Sequence, residues 1–166
     1  QRAGFFPTMP GVVHVPYAYC YRCPYKLQYP SCDLYCANII EDVYMKTVAP
    51  PADTAGVFVE PVQGEGGYIV PPPGWLDRIA KIAKEHDILL IDDEVQSGFG
   101  RTGKMWAVEH SKAVPDILTM AKSMGSGMPI GAAVYRADMD FHESGKHSNT
   151  YGGNPIACAA SLATID

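Results

Sequence analysis

The chain has 166 residues, of which 47% are hydrophobic and 19% charged, and its formal net charge is −5. This composition is typical of a soluble globular protein, and no apolar run reaches the length that a membrane-spanning helix needs. Basic residues do not cluster with aromatic ones, which argues against a nucleic-acid-binding surface. We therefore expect a cytoplasmic protein that binds neither membranes nor nucleic acids. Because the chain starts without methionine or a signal peptide and ends in a helical pattern without a stop signal, we also expect a fragment of a larger protein.

Strand and helix signals alternate along the chain. Short apolar runs predict strands, helical spacing predicts helices, and glycine or proline marks the loops. In chain order we predict a strand at Val12–Val15, a helix at Asp33–Val48, a strand at Ala55–Val59, a loop at Gly64–Gly67, a helix at Trp75–Glu85, strands at Ile88–Ile91, Asp116–Met120 and Gly131–Tyr135, and a helix from Asn154-Pro155. This alternation predicts βαβ units and an α/β fold with a largely parallel sheet.

An acid and a lysine follow two of these predicted strands. Asp92, Asp93 and Glu94 follow the apolar run of one strand, and Lys122 comes two residues after the end of the next. Open α/β sheets bind their ligands at the carboxyl ends of the strands. A lysine at such a position, with an acid beside it, suggests an aldehyde cofactor held as an imine on the lysine amine.

Two glycine patterns resemble nucleotide sites but fail on context. Gly98–Gly103 fits the dinucleotide-binding pattern G-x-G-x-x-G, yet it does not follow its strand directly. Gly98–Lys104 fits the first seven positions of a P-loop, but the serine or threonine that should follow the lysine is Met105. We therefore predict no nucleotide site.

Four cysteines of the first third have spacings that resemble a four-thiolate metal site. They are Cys20, Cys23, Cys32 and Cys36, and the eight residues between the two pairs make a shorter gap than usual. Free cysteine is commonly buried as a small hydrophobic residue. We predict packing without a metal, and keep a metal-stabilised binding module as an alternative.

Four motifs occur in the order found in one enzyme family. They are Val59–Gly67, Leu90–Gly103, Ala121–Ser123 and Asn149–Pro155, and together they resemble the class III aminotransferases. The early stretch Pro10–Tyr17 also resembles the 4-aminobutyrate aminotransferase branch, within the group that includes the ornithine and acetylornithine enzymes. The resemblance implies pyridoxal 5′-phosphate as cofactor and a fold type I architecture, with a mostly parallel sheet and helices on both faces. It also implies that residues 1–166 are part of the cofactor-binding large domain, without its N-terminal part and without the C-terminal small domain.

The resemblance assigns roles to five residues. Asp93 would pair with the pyridine nitrogen of the cofactor and keep it protonated, which stabilises a substrate carbanion. Lys122 would form the imine with the cofactor aldehyde and then carry the proton as a free amine. Val95 would pack against the cofactor ring, and Gln96 would hydrogen-bond its phenolic oxygen. Thr150 would bind the cofactor phosphate of the neighbouring subunit, which implies a homodimer.

The resemblance further implies the reaction. We expect amino transfer from an amino acid, plausibly 4-aminobutyrate or another ω-amino acid, to 2-oxoglutarate, with Glu60 and Glu65 as substrate-side candidates. Amino-acid racemisation needs the same lysine and acid, so it stays as an alternative. Because parts of the phosphate and substrate pockets would lie outside the chain, we expect residues 1–166 alone to be weakly active or inactive.

Overall fold

A computed structural model describes residues 3–166, and its centre is one four-stranded sheet. The strands are β1 (Gly56–Val59), β2 (Leu89–Asp93), β3 (Ile117–Met120) and β4 (Ala132–Tyr135), hydrogen-bonded in the order β1-β2-β3-β4. β1, β2 and β3 are parallel, whereas β4 runs antiparallel to β3. The α/β fold with a mostly parallel sheet is therefore confirmed.

The helices follow the predicted order. They are α1 (Tyr35–Ile39), α2 (Met45–Thr47), α3 (Trp75–Glu85) and α4 (Pro155–Ile165), and a π-helical turn at Ile40–Tyr44 joins α1 to α2. The helical region predicted at Asp33–Val48 starts two residues later. Its first two residues, Asp33 and Leu34, have left-handed φ angles of 47° and 54°, which a continuing right-handed helix does not allow.

Helix α3 covers one face of the sheet and has the predicted bounds. Gly74 precedes it with a φ of 80°, a conformation that glycine adopts without steric cost. The buried face of α3, which includes Trp75 and Ile82, packs with Val59 of β1 and Leu90 of β2 in the hydrophobic core. The opposite face of the sheet is more open, since Phe58 is 58% exposed.

The strand predicted at Val12–Val15 is wrong. This segment has no hydrogen-bonded strand partner within residues 3–166, and the side chains of Val12 and Val13 are exposed. Pro16 has no N–H to donate to a strand ladder, so an extended backbone here gains little from pairing.

Strand β2 extends further than predicted. It begins one residue after Ile88 and ends at Asp93, two residues beyond the predicted end. Asp92 pairs with Val59 and Leu118, and Asp93 pairs with Thr119, so neighbouring strands on both sides keep these polar residues in the ladder. The other strand starts differ from prediction by one residue.

Among residues 3–166, no helix is both long and apolar enough to cross a membrane.

Candidate active site

Lys122 lies two residues beyond Met120, the carboxyl end of β3. It begins a short 3₁₀ turn, Lys122–Gly125, with a φ of 46°, in the left-handed region that non-glycine residues rarely occupy. Such backbone strain concentrates at functional sites, where the surrounding structure holds it in place. The side chain is about half exposed, at 49%, and points into an open groove.

The groove has a volume of about 1600 Å³ and lies at the carboxyl ends of the parallel strands. Three of the predicted cofactor residues line it: Val95, Gln96 and Lys122. The structure therefore brings Lys122 into one groove with two residues that lie 26 and 27 positions before it in the chain. Other lining residues include Gln63, Gly64, Arg101, His110, Lys112 and Ser123.

Glu65 connects two of these residues. Its Oε1 atom accepts a hydrogen bond of 2.8 Å from Gln96 Nε2 and lies 3.8 Å from Lys122 Nζ. Both partners of the ion pair are substantially exposed, so the pair itself contributes little to stability. Its significance is positional, because it places a carboxylate beside the one predicted catalytic amine.

Glu60, the other substrate-side candidate, has a local role in the structure. Its Oε2 atom accepts a 2.6 Å hydrogen bond from the Gly64 N–H, and Glu60 does not line the groove. A side-chain carboxylate that accepts a hydrogen bond from the amide four residues later closes a tight loop. Glu60 therefore helps to shape the segment that carries Glu65.

Asp93 is the last residue of β2 and is half-buried. Its Oδ1 atom accepts a 3.0 Å hydrogen bond from the N–H of Val95, which holds the carboxylate in one orientation. In the sheet register Asp93 pairs with Thr119 of β3, which lies three residues before Lys122 in the chain. Asp93 therefore ends the strand next to the one that Lys122 follows. Asp93 itself does not line the groove, whereas Val95 does.

Asp92 is a buried acid to which the sequence analysis assigned no role. Its side chain is 1% exposed, and neither carboxyl oxygen has a hydrogen-bond partner among the described residues. Burial, together with the neighbouring Glu94 and Asp93 carboxylates, raises the pKa of Asp92 to about 8. The group is therefore held mainly as a neutral acid at pH 7.

Glu94 is also buried, and it fixes the loop that carries Val95 and Gln96. Its carboxylate accepts hydrogen bonds of 2.5 Å from Ser97 Oγ and 2.8 Å from the Val108 N–H. Burial raises the pKa of Glu94, while these hydrogen bonds oppose that shift. The period-two alternation of a strand, continued from Leu90, places positions 92 and 94 on the core face and could have signalled both burials.

Thr150 does not line the groove. It is exposed in the segment between β4 and α4. Its predicted contact with the cofactor of a neighbouring subunit therefore stays a prediction.

The four cysteines of the first third surround one small cavity of about 20 Å³. All four thiols are free, and burial raises the pKa of the Cys36 thiol to about 11, which favours its protonated form. Among residues 3–166, no three His, Cys, Asp or Glu side chains are arranged to hold a metal ion.

The arrangement of the groove can hold an aldehyde cofactor and move a proton. The Lys122 amine, the Gln96 amide and the apolar Val95 line the groove, and the Asp93 carboxylate ends the adjacent strand outside the groove lining. These are the kinds of group that a heteroaromatic aldehyde cofactor requires.

Comparison with known proteins agrees with this geometry. A family model described as aminotransferase class-III matches residues 1–166. The chain is 40% identical to a probable 4-aminobutyrate aminotransferase of Bacillus subtilis (strain 168), over 98% of this chain and 37% of that protein. It is 45% identical to a leucine/methionine racemase of Thermococcus litoralis, over 93% of this chain and 35% of that protein.

A solved structure shares the fold. The (S)-enantioselective omega-transaminase from Thermomicrobium roseum superposes with a TM-score of 0.89 at 33% identity, over 99% of this chain and 38% of that chain. The chain thus spans a little over a third of the length of the curated relatives it matches. The match over the whole chain, to the family and to its fold, establishes that this chain belongs to the class III aminotransferases.

Proposed function

We propose that the protein is a pyridoxal 5′-phosphate-dependent aminotransferase. It would transfer an amino group from an amino acid, with 4-aminobutyrate or another ω-amino acid as the preferred donor, to 2-oxoglutarate. The observation that carries the proposal is the placement of Lys122 and Asp93 at the ends of adjacent parallel strands, with Lys122, Val95 and Gln96 lining one groove. The relatives named for 4-aminobutyrate and for omega-transaminase activity support the choice of donor.

The residues of this chain fit the cofactor by their chemistry. Lys122 would hold it covalently through its aldehyde, and Asp93 would face the pyridine nitrogen, because a carboxylate stabilises a protonated ring nitrogen most where water is excluded. Gln96 would donate a hydrogen bond to the phenolic oxygen, and Val95 would pack on the ring. When bound, pyridoxal 5′-phosphate acts as an electron sink for the substrate carbanion.

The protein's own part in catalysis is to orient groups and move a proton. The Lys122 amine takes a proton from the substrate carbon and returns it at another atom, as a general base and then a general acid. The Val95 N–H fixes the Asp93 carboxylate at 3.0 Å, so the charge needs no rearrangement during the reaction. Glu65, whose Oε1 atom lies 3.8 Å from Lys122 Nζ, supplies a negative charge beside that amine.

The assembly and location of the protein are part of the same proposal. Thr150 would serve the phosphate site of a partner subunit in a homodimer, and its exposed position outside the groove supports that role. All five cysteines are free thiols, a state typical of a reducing cytoplasm, which supports a cytoplasmic location.

Amino-acid racemisation is a second candidate, and the similarity to a leucine/methionine racemase favours it. Racemisation returns the proton to the same carbon, so it uses the same lysine and acid but needs no oxo acid. A metal-stabilised binding module is not proposed, because the family match accounts for the whole chain, including its four-cysteine segment.

A substrate assay separates these candidates. The protein, expressed from its complete open reading frame and supplied with pyridoxal 5′-phosphate, is incubated with 4-aminobutyrate and 2-oxoglutarate, and glutamate formation is measured. We expect glutamate from the wild type, none from Lys122→Ala, and wild-type rates from Lys81→Ala, which removes an exposed lysine of α3. Interconversion of leucine enantiomers without oxo-acid turnover would overturn the transaminase proposal in favour of the racemase.

A further inference from the structure

The glycine pattern Gly98–Gly103 forms a tight loop, the glycine loop, with Arg101 at its tip. Gly100 and Gly103 have φ angles of 81° and 90°, in the left-handed region that glycine adopts without steric cost. The Gly103 N–H donates to the Gly100 carbonyl at 3.0 Å, and the Gly100 N–H donates to the Met105 carbonyl at 3.3 Å. These hydrogen bonds close the loop on itself and give its tip a defined place.

The base of the glycine loop is fixed to the core. The Gly98 N–H donates to the Glu94 carbonyl at 2.9 Å, and a Cβ atom at Gly98 would lie 2.8 Å from that carbonyl oxygen. The Phe99 ring packs edge-on against the Trp106 ring at a centroid distance of 4.9 Å, and Trp106 packs against the hydrophobic core. The loop therefore presents Arg101 from a rigid base.

Arg101 bonds to the residue that follows Lys122. Its Nε atom donates a 3.0 Å hydrogen bond to Ser123 Oγ, across 22 positions of the chain. A hydrogen bond from a charged donor is stronger than one between neutral groups. Arg101, Lys122 and Ser123 line the same groove, so this contact lies at the candidate active site.

The turn Lys122–Gly125 requires support from its surroundings. Lys122 has a left-handed φ of 46°, and a non-glycine residue keeps such a conformation only where neighbouring groups hold it. The far end of the turn is packed, since Gly125 is buried and the next residue, Ser126, bonds through its hydroxyl to Thr164 of α4 at 2.8 Å. The near end, which carries the amine, is held by the glycine loop.

We propose that Arg101 is a positioning residue that holds Lys122 in place for its covalent attachment to the cofactor. The inference rests on the proposed function. In the attachment step the neutral Lys122 amine forms a bond to the aldehyde carbon, and its two protons leave with the aldehyde oxygen as water. Arg101 touches no reacting atom and acts through Ser123 and the backbone of the turn. An amine that is already fixed loses less freedom when the bond forms, so attachment is faster.

The first test measures the turn without any cofactor. Hydrogen exchange is followed at the Met124 and Ser126 amides, which donate to the carbonyls three residues before them at 3.0 and 3.2 Å. The variants are Arg101→Ala and, as matched control, Lys104→Ala, which removes a nearby cation that bonds to the Glu109 carbonyl. We expect faster exchange at both amides in Arg101→Ala alone. Unchanged exchange there, or equal acceleration in the control, would overturn the proposal whether or not the protein is a transaminase.

The second test separates attachment of the cofactor from its binding. The protein is mixed with pyridoxal 5′-phosphate at several concentrations, portions are reduced with borohydride at timed intervals, and the labelling of Lys122 is quantified by mass spectrometry. In Arg101→Ala the rate at saturating cofactor should fall about two- to tenfold, the range set by one hydrogen bond. The cofactor concentration that gives half this rate should stay within about twofold, whereas general damage to the site would shift both. An unchanged rate would overturn the proposal. No labelling of the wild type would overturn the proposed function, and with it the role of Arg101 in attachment.

A double-mutant cycle shows whether Arg101 acts through Ser123. Ser123→Ala should slow attachment as Arg101→Ala does, and the double variant should be no slower than either single variant, because both remove the same hydrogen bond. Ser123→Thr keeps a hydroxyl group and should restore a rate near that of the wild type. Additive effects, or equal slowing in Ser123→Thr or in Lys104→Ala, would overturn the proposal.

Discussion

Asp92 and Asp93 are adjacent carboxyl groups with opposite surroundings. Successive strand residues point to opposite faces, so Asp92 enters the core while Asp93 stays half-buried on the opposite face of the sheet. Asp92 is neutral because no donor compensates its burial, whereas Asp93 is held by the Val95 N–H. Asp92 is thus held mainly as a neutral acid at pH 7, and Asp93 is the carboxylate that we propose pairs with the cofactor ring.

We expect Asp93→Asn to lower kcat by about two orders of magnitude. Asparagine keeps the hydrogen bond from Val95 but removes the charge, and an opposite charge at close range shifts a pKa by about 1 to 3 units. Steady-state kinetics on the protein with saturating cofactor gives the measurement. Asp92→Asn is the matched control, since it makes the same change one residue away on the core face, and should keep near wild-type kcat. Equal losses in both variants would contradict the role of Asp93.

Asp92→Asn should change the dependence of stability on pH. The pKa of Asp92 is about 8 in the folded state and about 3.9 in an unfolded chain, so between these values folding takes up a proton. Stability from this group is therefore fully present below about pH 4 and is lost as pH rises through 8, at up to about 1.4 kcal/mol per pH unit. Thermal melts at pH 5, 7 and 9 should show a weaker decline in Asp92→Asn than in the wild type. The exposed Asp53→Asn should decline as the wild type does, and an unaltered slope in Asp92→Asn would refute the assignment.

Among the secondary structure elements, local signals predicted what local chemistry determines. Helix α3 has its predicted bounds because the signals that determine them are local. Gly74 precedes the helix, the amphipathic spacing follows, and the helix ends next to His86. The antiparallel direction of β4 and the extension of β2 to Asp93 depend on pairing with strands elsewhere in the chain. Apolar periodicity carries no information about which strands pair. The strand predicted at Val12–Val15 is wrong for the same reason, because that segment finds no strand partner among the described residues.

The candidate site likewise combines residues that the sequence predicted with contacts that it did not. The motif resemblance predicted Asp93, Val95, Gln96 and Lys122 as cofactor residues, and the last three line one groove. The contact of Glu65 with Lys122 spans 57 positions and could not be derived from spacing. It arises because the loop after β1 and the turn after β3 meet at the same edge of the sheet.

Gly64→Ala tests how closely the loop after β1 must approach Gln96. The added Cβ would meet Gln96 Cγ at 2.4 Å and Gln96 Cβ at 2.8 Å, atoms too near the backbone to swing away freely. Overpacking of this kind costs about 1 to 3 kcal/mol, and it should displace Gln96 and weaken cofactor binding. Fluorescence titration with pyridoxal 5′-phosphate checks this. Gly66→Ala, whose Cβ would meet only the terminal Gln63 Oε1 at 3.2 Å, should bind nearly as the wild type; equal weakening in both would contradict the contact.

At the level of the whole chain, the sheet has one covered and one open face. Helix α3 buries the first face beside β1 and β2, whereas Phe58 on the second face is 58% exposed. The groove beside Lys122 is also open, and Thr150 lies outside it. The chain spans a little over a third of its curated relatives, so the remaining walls of the site would come from other segments or from a second subunit.

We therefore expect residues 1–166, expressed alone, to turn over at least about a hundredfold more slowly than a full-length relative, because incomplete positioning at a reacting centre costs this much. Assay beside the Bacillus subtilis relative under identical conditions gives the comparison. Size-exclusion chromatography with light scattering, run in parallel, tests the proposed dimer. Turnover equal to that of the relative would refute the expectation.

The most direct test of the central claim is to identify the lysine that holds the cofactor. The protein is incubated with pyridoxal 5′-phosphate, reduced with borohydride and digested, and the modified peptide is mapped by mass spectrometry, with Lys122→Ala in parallel. We predict one modified peptide, labelled on Lys122, and no corresponding site in the variant. Labelling spread over surface lysines, or equal labelling of the variant, would contradict the assignment of this groove as the cofactor site.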